Sequence, residues 1–195
     1  MNKTKALMLF CSVVAFMLIV ASRPAVSQDK PKTETIEATA RGTDSQFGTQ
    51  FNITLIIEGY STPADKQALV TAFQTDQNQG LYKALSKMKA VGHIAITGAL
   101  GYDVSYIRSI QTPAGRTIRF ITTRPISTRE EFRDSPSTAY NLTAGEIQIN
   151  DSDKSKSTGV LYPRAMLSVD KDNEIKFDLA TNPYKLVDIL DRGKD

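Results

Sequence analysis

Val104-Ser105-Tyr106-Ile107-Arg108-Ser109-Ile110-Gln111-Thr112-Pro113-Ala114-Gly115-Arg116-Thr117-Ile118-Arg119-Phe120-Ile121-Thr122 alternates, turns and alternates again. The turn is Thr112-Pro113-Ala114-Gly115. Pro113 presets the φ that the second residue of a type I turn needs, and Gly115 is free to take the left-handed conformation that closes a three-residue hairpin loop as a bulge. On that closure Ile110 faces Ile118, Arg108 faces Phe120 and Tyr106 faces Thr122. One face then carries Val104, Tyr106, Ile110, Ile118 and Phe120. The other carries Ser105, Ser109, Gln111, Thr117, Arg119 and Thr123, with Ile107 and Ile121 as its apolar exceptions. A period of two with one apolar face marks a half-buried antiparallel sheet. A slip of one residue would exchange the faces, so the turn assignment decides the fold. A lone hairpin is marginal in water and needs further strands.

Those strands are legible on both sides. Upstream, residues 33–41 alternate loosely, and 51–57 are rich in β-branched residues with Phe51, Ile53, Leu55 and Ile57 on one side. Ser61 or Thr62 can cap a helix whose first turn accepts Pro63. Ala68, Leu69, Ala72 and Phe73, then Leu81, Leu85 and Met88, recur at helical spacing, with the polar residues 74–80 between them. This predicts a helical pair that covers one face or one end of the sheet. Residues 93–97 form a short strand before the hairpin. Downstream, 140–149 read as a strand with a break at Gly145, and 161–169 pair with 175–180 across Asp170-Lys171-Asp172-Asn173. Leu186, Val187, Ile189 and Leu190 make a closing strand or short helix. The predicted class is α+β: a single curved, mostly antiparallel β-sheet, open to barrel-like closure, with the helical pair inserted after the second strand.

The N-terminal stretch reads differently. Lys3 and Lys5 precede an almost unbroken apolar run from Ala6 to Ala21, and Ala25-Val26-Ser27 offers the small residues of a cleavage site ahead of Gln28. Residues 1–27 are therefore expected to be a secretory signal peptide cut after Ser27, and 28–32 a disordered tether. Residues 33–195 then form one domain, in the periplasm or outside the cell, with no transmembrane segment after cleavage. Cleavage changes the charge. The whole chain has 24 basic and 21 acidic residues, but Lys3, Lys5 and Arg23 precede Gln28 and every acidic residue follows it. What remains is formally neutral and gives no reason to expect nucleic acid as a partner. Cys11, the single cysteine, leaves with the leader, so neither disulfide nor thiol chemistry is expected.

Several chemistries lack their residues. His93 is the only histidine, and with no cysteine a His/Cys zinc site has too few ligands. No Gly-x-Ser-x-Gly elbow and no glycine-rich phosphate loop occurs. The acidic stretches at 151–153 and 170–174 lack the glycine and terminal glutamate of a calcium-binding EF-hand loop. No metal, cofactor or catalytic residue is expected. Arginine stands out: Arg108, Arg116, Arg119, Arg124, Arg129 and Arg133 fall in one stretch without lysine. Asp103, Glu130, Glu131 and Asp134 are the expected partners on a wet sheet face. Arg108 lies among Tyr106, Ile110 and Phe120 in the hairpin register, and a cation on an apolar face needs a partner. A ligand carboxylate is one candidate, giving a ligand-binding set of Tyr106, Arg108, Arg119 and Phe120.

Gly115-Arg116-Thr117-Ile118-Arg119-Phe120-Ile121-Thr122-Thr123-Arg124-Pro125-Ile126, then Glu146-Ile147-Gln148-Ile149 and Asn182-Pro183-Tyr184-Lys185-Leu186, carry a resemblance. Across its C-terminal half the chain resembles a group of exported proteins of Gram-negative soil bacteria that have no assigned function. The resemblance implies a secreted or periplasmic β-rich domain and transfers no catalytic residue. The leading expectation is an exported, non-enzymatic binding or interaction module for a small lipophilic or carboxylate-bearing ligand. One alternative is a periplasmic hydrolase working through two of Asp103, Glu130, Glu131 and Asp134. The other is an assembly partner of a cell-envelope protein.

Overall fold

A computed structural model of the chain describes residues 32–44, 48–97, 100–126, 142–179 and 182–194. The predicted leader, the charged connection at 128–136 and residues 140–141 lie outside them. Nine strands and one helix follow in order: β1 (Glu34–Arg41), β2 (Gln50–Ile57), α1 (Pro63–Lys87), β3 (Gly92–Ile96), β4 (Tyr102–Thr112), β5 (Gly115–Thr122), β6 (Leu142–Asn150), β7 (Thr158–Val169), β8 (Ile175–Leu179) and β9 (Tyr184–Lys194). The sheet runs β6-β5-β4-β3-β2-β1-β9-β7-β8, and β6 also pairs with β7. That last pairing closes a ring of eight antiparallel strands, with β8 outside it. The curved sheet expected from sequence is thus a closed barrel.

The long strand β7 makes closure possible. On one edge it pairs with β6. On its other edge β9 takes Gly159–Leu161 and β8 takes Ala165–Val169. β8 and β9 therefore follow one another along β7, with Pro183 between them. The expected hairpin of 161–169 with 175–180 is present over part of its length: Ala165–Val169 pair with Ile175–Leu179, with Val169 opposite Ile175.

Two cores share this wall. One draws on every strand of the ring, including Ile36, Leu55, Ile94, Ile107, Phe120, Ile147, Leu161 and Tyr184, and so fills the lumen. A barrel of eight strands has room for side chains or one small ligand, and here side chains occupy it. The other core lies outside, where Leu69, Leu81 and Leu85 of α1 cover Tyr106, Ile121, Leu142, Ala165 and Leu167. Residues of β4 through β7 are therefore apolar on both faces, which explains the exceptions Ile107 and Ile121.

The hairpin register differs from expectation by one residue. Thr112 pairs with Gly115, Ile110 with Thr117, Arg108 with Arg119 and Ile107 with Phe120. The turn is the two-residue Pro113-Ala114, not a three-residue loop. Gly115 has a φ of +151°, outside the compact left-handed region, and a Cβ there would overlap the Ile149 carbonyl oxygen. Both that backbone conformation, which L side chains rarely adopt, and the close approach of β6 demand glycine. A register shift between Val104 and Tyr106 then inserts one residue into β4, so Val104 and Ile107 both face the lumen while Tyr106 faces α1. Phe120 is on the lumen side, away from Arg108.

The helical pair is one helical element with a kink. Thr62 caps it in a reciprocal box: the Asp65 N–H donates to Thr62 Oγ1 at 3.2 Å, and the Thr62 N–H donates to Asp65 Oδ2 at 2.7 Å. Only Asp76 and Gln77 leave helical φ/ψ. Gly80 packs against the preceding leg, and a Cβ there would overlap the Ala72 carbonyl oxygen. Gly80→Ala is expected to destabilise the fold by about 1–3 kcal/mol, read by urea unfolding, because backbone cannot step aside as a side chain can. Gly145 does not break β6, which runs unbroken from Leu142 to Asn150, and the closing segment is strand. Among the described residues no helix is long and apolar enough to cross a membrane.

Candidate functional site

Tyr106, Arg108 and Arg119 come together where β4 and β5 meet the start of β8. They line a water-sized opening of about 10 Å³ with Ile110, Ile121, Glu174 and Phe177. Arg108 and Arg119 are direct cross-strand partners. Like charges opposite one another on a sheet repel, so each needs an anion. Arg119 Nε donates to Glu146 Oε2 at 2.7 Å, across the β5–β6 ladder. Arg108 is held more loosely: its Nη1 is 3.9 Å from Glu174 Oε2, and the other oxygen of Glu174 is bonded by Lys66. Burial pushes the Tyr106 phenol above its ordinary range, against the pull of the neighbouring Arg108. Three of the four expected ligand residues therefore share one site. Phe120 does not; it is in the lumen core.

A second charged group sits inside the barrel wall. Glu34 is 1% exposed and follows the lumen parity of Ile36, Ala38 and Ala40. Arg116 and Asp191 extend the lumen faces of β5 and β9 in the same way. Arg116 Nη2 donates to Glu34 Oε1 and, at 2.7 Å, to Asp191 Oδ2; its Nη1 donates to Glu34 Oε2 at 3.2 Å. The Tyr60 hydroxyl donates to Glu34 Oε2 at 2.7 Å. Burial works against the Arg116 charge, but hydrogen bonds to the two carboxylates outweigh it and hold the guanidinium protonated. Burial and the Glu34 carboxylate push the Tyr60 phenol far up. The cluster ties β1, β5, β9 and the segment after β2 together.

Comparison with protein-family models, with curated proteins and with solved structures returns no match. Geometry has to carry the functional argument alone.

Arg108, Arg116 and Arg119 take partners outside their own stretch. Glu34, Glu146, Glu174 and Asp191 serve, all distant in sequence. Asp103 instead stands 3.5 Å from His93 Nδ1. Glu130, Glu131 and Asp134 lie outside the described residues. His93 Nε2 is 3.3 Å from the Leu100 carbonyl, the hydrogen-bonded setting expected of a structural histidine. The acidic loops are braces: Asp153 caps the 3-10 turn Lys154–Lys156, and Asp170 accepts the backbone N–H groups of Asp172 and Glu174. The Glu174 N–H, foremost, holds the Asp170 carboxyl below the aspartate range. Among the described residues no three His, Cys, Asp or Glu side chains gather to hold a metal. The Glu34–Arg116–Asp191 cluster is not revealed by the local arginine density, because its two carboxylates come from β1 and β9, far from Arg116 in sequence. Its signal was parity: each charge stands two residues beyond a lumen-facing apolar residue.

Proposed function

We propose that this chain is an exported, non-enzymatic binding module that takes a carboxylate-bearing ligand at the Arg108–Arg119 seam. The carrying observation is the cross-strand arginine pair, in which Arg108 has Glu174 only at 3.9 Å. An ion pair at that length contributes little, so an incoming carboxylate can replace Glu174. The apolar neighbours Ile110, Ile121 and Phe177 favour a ligand whose carboxylate leads a short apolar chain. The filled lumen argues against a lipophilic ligand inside the barrel.

Export rests on the leader at residues 1–27. The hydrolase reading is weaker: Glu34 and Asp191, two carboxylates that face one another, are bridged by Arg116. An envelope-assembly role draws support from β8, the strand at the open end of the sheet order.

Octanoate and octanol titrations, followed by NMR, test the proposal. Octanoate is expected to shift the Arg108 and Arg119 signals and octanol to leave them. Arg108→Ala should cost about 1.5–3 kcal/mol of octanoate binding, and Glu174→Gln should tighten it. Equal responses to acid and alcohol, or unchanged octanoate binding in Arg108→Ala, would sink the reading.

A further inference from the structure

Another opening lies on a different wall. A groove of about 380 Å³ runs over the outer face of β1, β2 and β9, strands that contribute nothing to the core beneath α1. That volume is within the range of small-ligand sites, roughly 300–1,000 Å³, and is large enough for a disaccharide. Thr39, Thr54 and Thr97 bring hydroxyls to it, and Asn52 brings an amide. Thr39 Oγ1 donates to Asn52 Oδ1 at 3.3 Å. The Asn52 amide nitrogen and the Thr54 hydroxyl keep no protein partner among the described residues.

The charges at the groove cancel. Glu37 is gripped by Arg192, whose Nε and Nη2 donate at 2.9 and 2.8 Å. Asp188 is paired with Arg41 at 3.1 Å. An ionic ligand would meet two neutralised pairs and gain little. A neutral ligand with many hydroxyls, each able to donate and accept, matches amide, hydroxyl and paired carboxylate alike. Leu190, 41% exposed, adds the apolar contact that the C–H face of a sugar ring needs.

The backbone is also shaped here. Glu37 pairs with Leu190 and Thr39 with Val187, so β9 carries one extra residue opposite Ala38. Asp188 takes that place with a φ of +53°, a left-handed conformation that a non-glycine residue rarely adopts. The bulge separates the buried Leu186 and Ile189 by two residues instead of one and turns Asp188 outward beside Leu190. Bulges of this kind re-aim side chains next to functional sites.

We infer that the β1–β2–β9 groove is a binding site for a neutral oligosaccharide, separate from the arginine seam. The test is an NMR titration of the folded protein with maltohexaose, cellotetraose and N-acetylated chitotetraose, and with oligogalacturonate as an anionic comparator. At least one neutral sugar should give saturable shifts of the Thr39, Asn52, Thr54 and Asp188 amides while the seam amides stay still. Asn52→Ala and Asp188→Gly should each weaken it roughly tenfold, with thermal midpoints held; glycine keeps the left-handed backbone at 188. Silence of the groove amides toward all three neutral sugars at about 10 mM overturns the inference, as does tighter binding of oligogalacturonate or loss of binding only in Arg108→Ala.

Discussion

Arg116→Ala should lower folding stability by about 3–5 kcal/mol. The substitution leaves Glu34 and Asp191 facing one another without the cation that bridges them, and Glu34 has almost no solvent to turn to. For a domain of this size the loss lowers the melting temperature by roughly 10 °C. Replacing the charge and both anions together, as Arg116→Met with Glu34→Gln and Asp191→Asn, should recover part of the loss, since the penalty comes from uncompensated burial. Urea unfolding of the three proteins decides it. A cost below about 1 kcal/mol for Arg116→Ala would place the cluster among solvated surface pairs.

Phe120→Ala is expected to cost a similar amount, about 3–5 kcal/mol, through the cavity it opens in the lumen. Phe120 is wholly buried, and its ring lies over Gly145, where any Cβ would overlap it. The two positions are therefore coupled. Gly145→Ala alone should destabilise by overpacking, whereas Gly145→Ala with Phe120→Leu should cost less than the sum of the two single changes. Additive costs in a double-mutant cycle would contradict the contact. Phe120→Leu should also leave octanoate binding at Arg108 unchanged, because the two side chains project from opposite faces of the wall.

Most strand positions were legible because apolar residues recur on one side across residues 51–57 and 161–169. The start of α1 was legible, to within Ser61 or Thr62, because capping chemistry is local. The hairpin register was not. Glycine after Pro113-Ala114 suggested a bulged turn, but Gly115 answers to the Ile149 carbonyl on a neighbouring strand. With α1 covering the outer wall, both faces of β4 and β5 are apolar, so alternation alone could not tell lumen from exterior. Of the site, Tyr106, Arg108 and Arg119 were found because they share one strand pair. Glu174 was missed because it reaches them from a distant turn.

The pairing of β1 with β9, from Glu34 opposite Lys194 to Arg41 opposite Lys185, has a consequence for biogenesis. Until residues 184–194 have emerged, the edge of β1 that β9 will cover stands bare, a template for any passing extended chain. Joining the first strand to the last also defers its reward until the intervening loop has been closed, and topologies of this kind fold in milliseconds to seconds, slower than helical bundles. The nascent polypeptide therefore cannot zip up as it is made. It has to be kept solitary until β9 arrives to cover that edge.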